Sequence, residues 1–498
     1  MFRSSSRIRF RIVLIACFFC LMSARAFAVT SSESQTAGSA SSVPIQVVVN
    51  AKAAHVSTFH GLGAELDPYD RQPSPEHWQI VQERLDFARF GLVRIMSSAY
   101  DYCLGFNAKG DPVYVWNTPD EKTQKRFDRM LTLLDYAQAH NITVYLGEWL
   151  QPGRFGMTSP DDPRWPRIVS DFVDYLIHQK HYTVINDYIL MNEPNGSWMW
   201  HQTKPDYKAW AKGIRQLRKD FDAHGLASVQ IAGPDNSGDE DWFADSVHDL
   251  SPQLGAWESH IYAKDDAIFN DNIESDLNHD RALILKFDRA GAAKPRIIGE
   301  AGGSTGKDGS NHRNLNVLTF PYGVLMADFV TQIIRAGWTG ASAWMLDDSE
   351  HADGSGVLHM WGFWDSSPKG DISIRPWFYT WSLMSRLFPR GASILSVDSA
   401  PAVPRFRATA DEWTTASGKE GSILLVNDSD AARTVVVHAP EFASRKLYCY
   451  HYFDQDRPVD GKGLPVPAST DLKFPANDQG ITINMPSRGV VLLTTSKP

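Results

Sequence analysis

The chain has 498 residues, 43% of them hydrophobic and 21% charged, with a net charge of −9. This length accommodates one large domain and a smaller one, and the composition excludes a disordered or fibrous chain. An acidic balance with no basic run in the body of the chain also argues against nucleic acid or an anionic membrane as partner.

Taken in chain order, Arg3, Arg7, Arg9 and Arg11 precede an apolar stretch at 12–22, and Ala26-Phe27-Ala28 supplies the small residues of a cleavage site. Residues 1–28 therefore read as a signal peptide cut after Ala28, which sends the protein to the periplasm or outside. The apolar stretch is well short of the roughly 20 residues of a membrane span. Leu14-Ile15-Ala16-Cys17 resembles a lipoprotein processing site but leaves almost no apolar core before the cysteine. Removing this segment takes away five arginines and no acid, so the charge falls from −9 to −14. Cys103 and Cys449 then remain, far apart in the chain; an oxidising compartment permits a disulfide between them, but they form no disulfide framework and no metal-spaced pattern. Residues 29–43 are rich in Ser, Thr, Ala and Gly and read as a flexible linker. A strand expected in 44–56 joins the β-domain at the far end of the chain.

Eight short apolar runs follow: "FHGLGAEL" (59–66), "GLVRIMSS" (91–98), "ITVYLGEW" (142–149), "DYILMNEP" (187–194), "SVQIAGPD" (228–235), "AWESHIYA" (256–263), "RIIGEAGG" (296–303) and "ASAWMLDD" (341–348). Amphipathic helical stretches such as 125–140 and 168–181 separate them. Eight strand–helix units predict a closed (β/α)8 TIM barrel over 57–390. An open doubly wound sheet is the alternative, weakened because no glycine-rich phosphate fingerprint follows the first strand. The strand-to-helix segments at 97–118, 303–318 and 347–375 are long, and in such barrels these loops build the active face. Beyond a final helix at 375–388, strand-length runs at 421–428, 433–439, 446–453, 480–485 and 489–495 predict a C-terminal antiparallel β-sandwich over 391–498.

Glu193 in "MNEP" and Glu300 in "IIGEAGG" fall at the carboxyl ends of the fourth and seventh strands, where two carboxylates can face one another across a bound molecule. Glycoside hydrolysis needs that arrangement; a solvated strand terminus is the alternative for either one alone. Asn192 can hydrogen-bond a substrate hydroxyl. Tyr262 and Arg94 are placed to keep Glu300 ionised, whereas no cation is evident beside Glu193. His260 and Tyr262 could equally be barrel packing, and Arg94 a structural ion pair. His260 among acids suggests a metal, but no His-x-x-His spacing supports one, and no cofactor is implied.

Strand-end "NEP", a second glutamate on strand seven, "HIY" on strand six and a tryptophan on strand eight resemble the retaining glycoside hydrolases of clan A over residues 57–390. The β-domain is similar to that of several families of the clan, without assigning one. The resemblance implies a carbohydrate substrate, Glu193 as acid/base and Glu300 as nucleophile. Sugar rings present flat C–H faces that stack on aromatics, which suits Trp149, Trp344, Trp198, Trp200, Trp361 and Trp364. Asp67, Glu148, Asp347 and Asp348 add acceptors for hydroxyls and would repel a uronate, favouring a neutral sugar. Asn195-Gly196-Ser197 matches a glycosylation sequon, read as chance because a glycan there would block the site. A catalytically silent carbohydrate-binding protein and an inverting glycosidase remain as alternatives.

Overall fold

The computed structural model describes residues 43–66, 73–118, 120–200, 203–309, 312–350, 358–443, 445–475 and 479–498. The proposed signal peptide, nearly all of the linker and Asp67 lie outside them.

Eight parallel strands close into a barrel: β1 (Gly61–Glu65), β2 (Leu92–Ser97), β3 (Thr143–Glu148), β4 (Ile185–Ile189), β5 (Gln230–Ser237), β6 (Ala256–Ala263), β7 (Arg296–Gly303) and β8 (Gly340–Ala343). Helices follow them at Pro75–Ala88, Glu121–Ala139, Arg164–Asp174, Tyr207–Ala223, Glu240–Leu250, Asn272–Phe287, Phe320–Arg335 and Pro376–Leu387. The strands are covered on both faces, which is why they read as continuous apolar runs instead of alternating ones. The helix starts are written locally. Ser74, Asp120, Asp206 and Asp239 each accept a hydrogen bond from a main-chain N–H of the first turn, satisfying donors that the helix cannot. On Glu121–Ala139 the residues Phe127, Met130, Leu134 and Ala137 recur at helical spacing and are buried against the barrel.

The lumen is filled. Leu92, Met96, Tyr145, Ile189, Ala232, Ala256 and Ile297 form a packed floor distinct from the main core, with Trp149 against it. Strand contacts are close enough that a Cβ at Gly63 would lie 1.7 Å from the Leu92 carbonyl oxygen.

The remaining strands form one nine-stranded sheet, in the order Ser469–Lys473, Lys446–Tyr452, Gly489–Thr494, Gly418–Asn427, Phe406–Thr415, Ser393–Ala400, Ile45–Val56, Arg433–His438, Ile481–Met485. It doubles over, so that Val47, Val437 and Ile481 from one end share a core with Leu425, Val491 and Leu493 from the other. Pairing is antiparallel except where Ile45–Val48 runs parallel to Val435–His438. The outer face of the sheet belongs to the barrel's core: Leu424, Val426, Tyr450, Tyr452 and Leu492 pack in one cluster with Phe329 and Trp377. Cys103 and Cys449 are both buried and free. Among the described residues, no helix is long and apolar enough to cross a membrane.

Candidate active site

At the carboxyl end of the barrel, two local distortions turn acids inward. Pairing between β6 and β7 slips by one residue at Gly299: Ile298 opposes Ser259, but Glu300 opposes His260. An extra residue of this kind re-aims the side chain that follows it, so Glu300 shares the lumen with His260. Glycine at 299 makes room for the Glu258 carboxylate: a Cβ there would sit 1.4 Å from Glu258 Oε1. On β5 a second slip between Pro234 and Asn236 turns Asp235 inward, at a φ of 58°. Glu193 follows β4 at a φ of 40°. Such left-handed backbone in a non-glycine residue persists only where the surroundings enforce it.

Arg94 on β2 is the hub. Its Nη1 donates to Glu65 Oε2 (2.5 Å) and Glu300 Oε1 (2.7 Å), and its Nη2 donates to Asn192 Oδ1 (2.6 Å) and Asp235 Oδ2 (3.1 Å). The side chain is 1% exposed. Tyr262 donates its hydroxyl to Glu300 Oε2. His260 bridges the other carboxylates, with Nδ1–H to Glu193 Oε1 (3.0 Å) and Nε2–H to Asp235 Oδ1 (3.2 Å). Exposed Trp198 folds back to donate its indole N–H to Glu193 Oε2 at 2.6 Å, and Gly196 leaves room for its ring. One carboxylate oxygen of Glu193, one of Glu300 and a ring nitrogen of His260 all lie within 4.8 Å of one another.

The protonation balance follows from these partners. Burial alone would strip His260 of its charge, but Glu300 and Asp235 outweigh it and push the imidazole well above its ordinary pKa. Burial raises Glu193 as well; the hydrogen bond and charge of His260, with Trp198, reverse this and leave it below the ordinary value. For Glu300, burial and the nearby Glu193 win over His260, Arg94 and Tyr262, and its pKa is raised. Burial and the Asp235 charge push Glu258 above its ordinary value, against His260. The acids and His260 have the donor types of a metal site, and each ring nitrogen of His260 faces a carboxylate.

Chains of known structure share this architecture. The catalytic domain of a GH30 xylanase from Talaromyces cellulolyticus is 14% identical, with 91% of this chain and 100% of that one aligned at a TM-score of 0.63. A GH30 endoxylanase from Clostridium papyrosolvens is 12% identical over 90% and 99% of the two chains (TM-score 0.62). A family 51 α-L-arabinofuranosidase from Bifidobacterium longum is 13% identical over 91% and 100% (TM-score 0.57). At these identities the likeness is one of fold, a TIM barrel with an attached β-domain. No protein-family profile and no curated protein matches the chain.

Of the residues singled out from sequence, Arg94, Asn192, Glu193, His260, Tyr262 and Glu300 come together directly. Trp149 lies 5.8 Å from the Arg94 guanidinium and meets Trp344 edge-on at 6.0 Å. Trp361 packs against Tyr262 beside them. Glu148 does not join this group. It is fully buried outside the lumen, where it accepts from Tyr102 and from the Trp165 indole (2.6 Å), and burial lifts it to about 8. Asp348 is likewise taken up by Arg375 (2.5 Å) and Asp347 by Ser366, and Trp364 is buried in the core. The expectation that Glu193 lacks a cationic neighbour is corrected by His260. Asp235 and Glu65 were not anticipated, although "GPD" ends its strand as "NEP" does. The Asn195 amide is tied both ways to the main chain of Ser237 (2.9 and 3.1 Å), so the sequon's nitrogen is already engaged.

Proposed function

We propose that the protein is an exported retaining glycoside hydrolase acting on a neutral sugar by double displacement, with Glu300 as nucleophile and Glu193 as acid/base. The observation that carries this reading is the Glu193–Glu300 pair, with oxygens within 4.8 Å across the lumen mouth. Retaining pairs stand about 5–5.5 Å apart, a spacing with which this close approach of one oxygen from each carboxylate agrees. The fold shared with glycoside hydrolases agrees with it.

Glu300, held by Arg94 and Tyr262, attacks the anomeric carbon as the bond to the leaving oxygen breaks. The departing oxygen takes its proton from Glu193. In the resting state that proton lies in the 3.0 Å His260–Glu193 hydrogen bond, so shifting it toward Oε1 arms the acid and neutralises the imidazole without uptake from solvent. Water then attacks the glycosyl–Glu300 ester, Glu193 accepts the water's proton, and the Glu300 carboxylate is released. Asn192, fixed by Arg94, presents its amide N–H to the sugar, and Trp149 and Trp344 offer ring faces. The preference for a neutral sugar rests on the two carboxylates at the lumen mouth, Glu193 and Glu300, since Glu148 and Asp348 are engaged elsewhere.

The test uses a sugar with fluorine at its second position and a good leaving group. Time-dependent inactivation, with the sugar found by peptide mass spectrometry on the fragment containing Glu300, is the expected outcome. An inverting enzyme or a silent binder gives no adduct, and a label on Glu193 reverses the two roles.

A further inference from the structure

A second pocket lies where the loop at 457–463 of the β-domain meets the start of the barrel's last helix, Pro376–Leu387. A pocket of about 480 Å³ there is lined by Arg84, Arg375, Arg457 and Lys462 over an apolar floor that includes Ile372 and Ile374, and no acid lines it. Four cations converging on one pocket is unexpected in a chain of net charge −9.

Two of the four are already matched: Arg375 by Asp348 at 2.5 Å, and Lys462 by Glu83 at 3.0 Å. The other two are not. Arg457 donates only to the Asp454 carbonyl, at 2.6 Å. Arg84 is 7% exposed, lies over the Trp364 ring at 4.6 Å, and leaves its Nη1 buried without a hydrogen-bond partner. Burial of this guanidinium, opposed only by Glu83, pulls its pKa down to about 10. A buried charge is ordinarily paired, because an unpaired one is costly. The helix beginning at Pro376 adds the positive end of its dipole to the same wall.

We propose that this pocket binds an oxyanion carried on a sugar-sized ligand, with Arg84 and Arg457 as its principal partners. The anion completes the charge balance that the protein leaves open, and the aliphatic floor receives the ligand's C–H surface. A carboxylate of an acidic sugar and a phosphoryl group share this chemistry. The proposal is independent of how the catalytic pair works.

The experiment is calorimetric titration of the whole protein with sodium glucuronate and with inorganic phosphate at fixed ionic strength, with glucose as the neutral control. Saturable one-site binding of at least one anion is expected, with none for glucose. Tighter glucuronate points to an acidic sugar and tighter phosphate to a phosphoryl ligand. Arg457→Gln, at the pocket rim, weakens binding about tenfold, the effect of losing one charge-assisted hydrogen bond. Arg84→Met, which keeps an unbranched chain over Trp364, does the same; should it fail to fold, Arg457→Gln still decides. Hydrolysis of an aryl glycoside is unchanged in both variants, so this site and the catalytic reading fail separately. No saturable binding of either anion, or equal affinity in Arg457→Gln, overturns the proposal.

Discussion

His260 touches Glu193 with one nitrogen and Asp235 with the other, so the acid/base cannot change its protonation without the imidazole responding. Glu193→Ala removes the proton the leaving oxygen needs. The expected loss is about 10²–10⁴-fold on substrates with poor leaving groups and far smaller on activated aryl glycosides; equal losses on both would argue against the acid role. Glu300 gives a pH prediction. Its pKa is raised mainly by burial, and Tyr262 is one of the groups that lower it. A nucleophile must be ionised, so activity falls as pH drops through that raised value. Tyr262→Phe removes a donor to the anion, and the acid limb of kcat/KM moves up by roughly one pH unit; an unmoved limb, or one shifted down, refutes the assignment. Glu193 and Glu300 were legible because each ends an apolar run. Asp235 was not, because its inward aim depends on a one-residue slip against β6 that no periodicity reveals. Glu148 misled for the opposite reason: it ends its strand as the others do, yet alternation along β3 turns it outward to Trp165.

The eight barrel strands were visible as elements because burial on both faces makes each an unbroken apolar run. Phe406–Thr415 escaped for want of such a run: buried Arg407 and Asp411 interrupt it. Ser393–Ala400 has an exposed, polar second half and was also missed. Both lie between Ile45–Val56 and Gly418–Asn427. The strand Ile45–Val56 is the hinge of the sheet, hydrogen-bonded to Ser393–Ala400 on one side and Arg433–His438 on the other. A chain starting at residue 57 would bare two strand edges and the core positions of Ile45, Val47 and Val49. Unpaired edges invite aggregation. Such a truncation is expected to be insoluble, or to be cut by protease in 433–485 while the full-length protein resists. A soluble truncation with native resistance would mean that the sheet closes without this strand.

Barrel and β-domain are joined by a shared core and by a buried ion pair. Leu424, Val426 and Leu492 of the sheet pack in the same cluster as Phe329 of the helix Phe320–Arg335. From the sheet, Arg407 reaches that helix to pair with Asp328, which is fully buried, and donates to the Ile268 carbonyl at 3.1 Å. Burial raises Asp328 to about 6 even with Arg407 opposing it. Arg407→Ala therefore leaves a buried acid uncompensated, at a cost of about 3–5 kcal/mol, whereas replacing both partners with apolar residues of similar volume should be near neutral. Because the shared core spans both parts, the loss should not fall on the β-domain alone. Hydrogen exchange on peptides from Gly489–Thr494 and from β7 should report one common opening free energy in the native protein. In Arg407→Ala that energy should fall by the same amount in both. If the β-domain peptides open well before those of β7, the two parts are separate cooperative units and the shared core does not couple them.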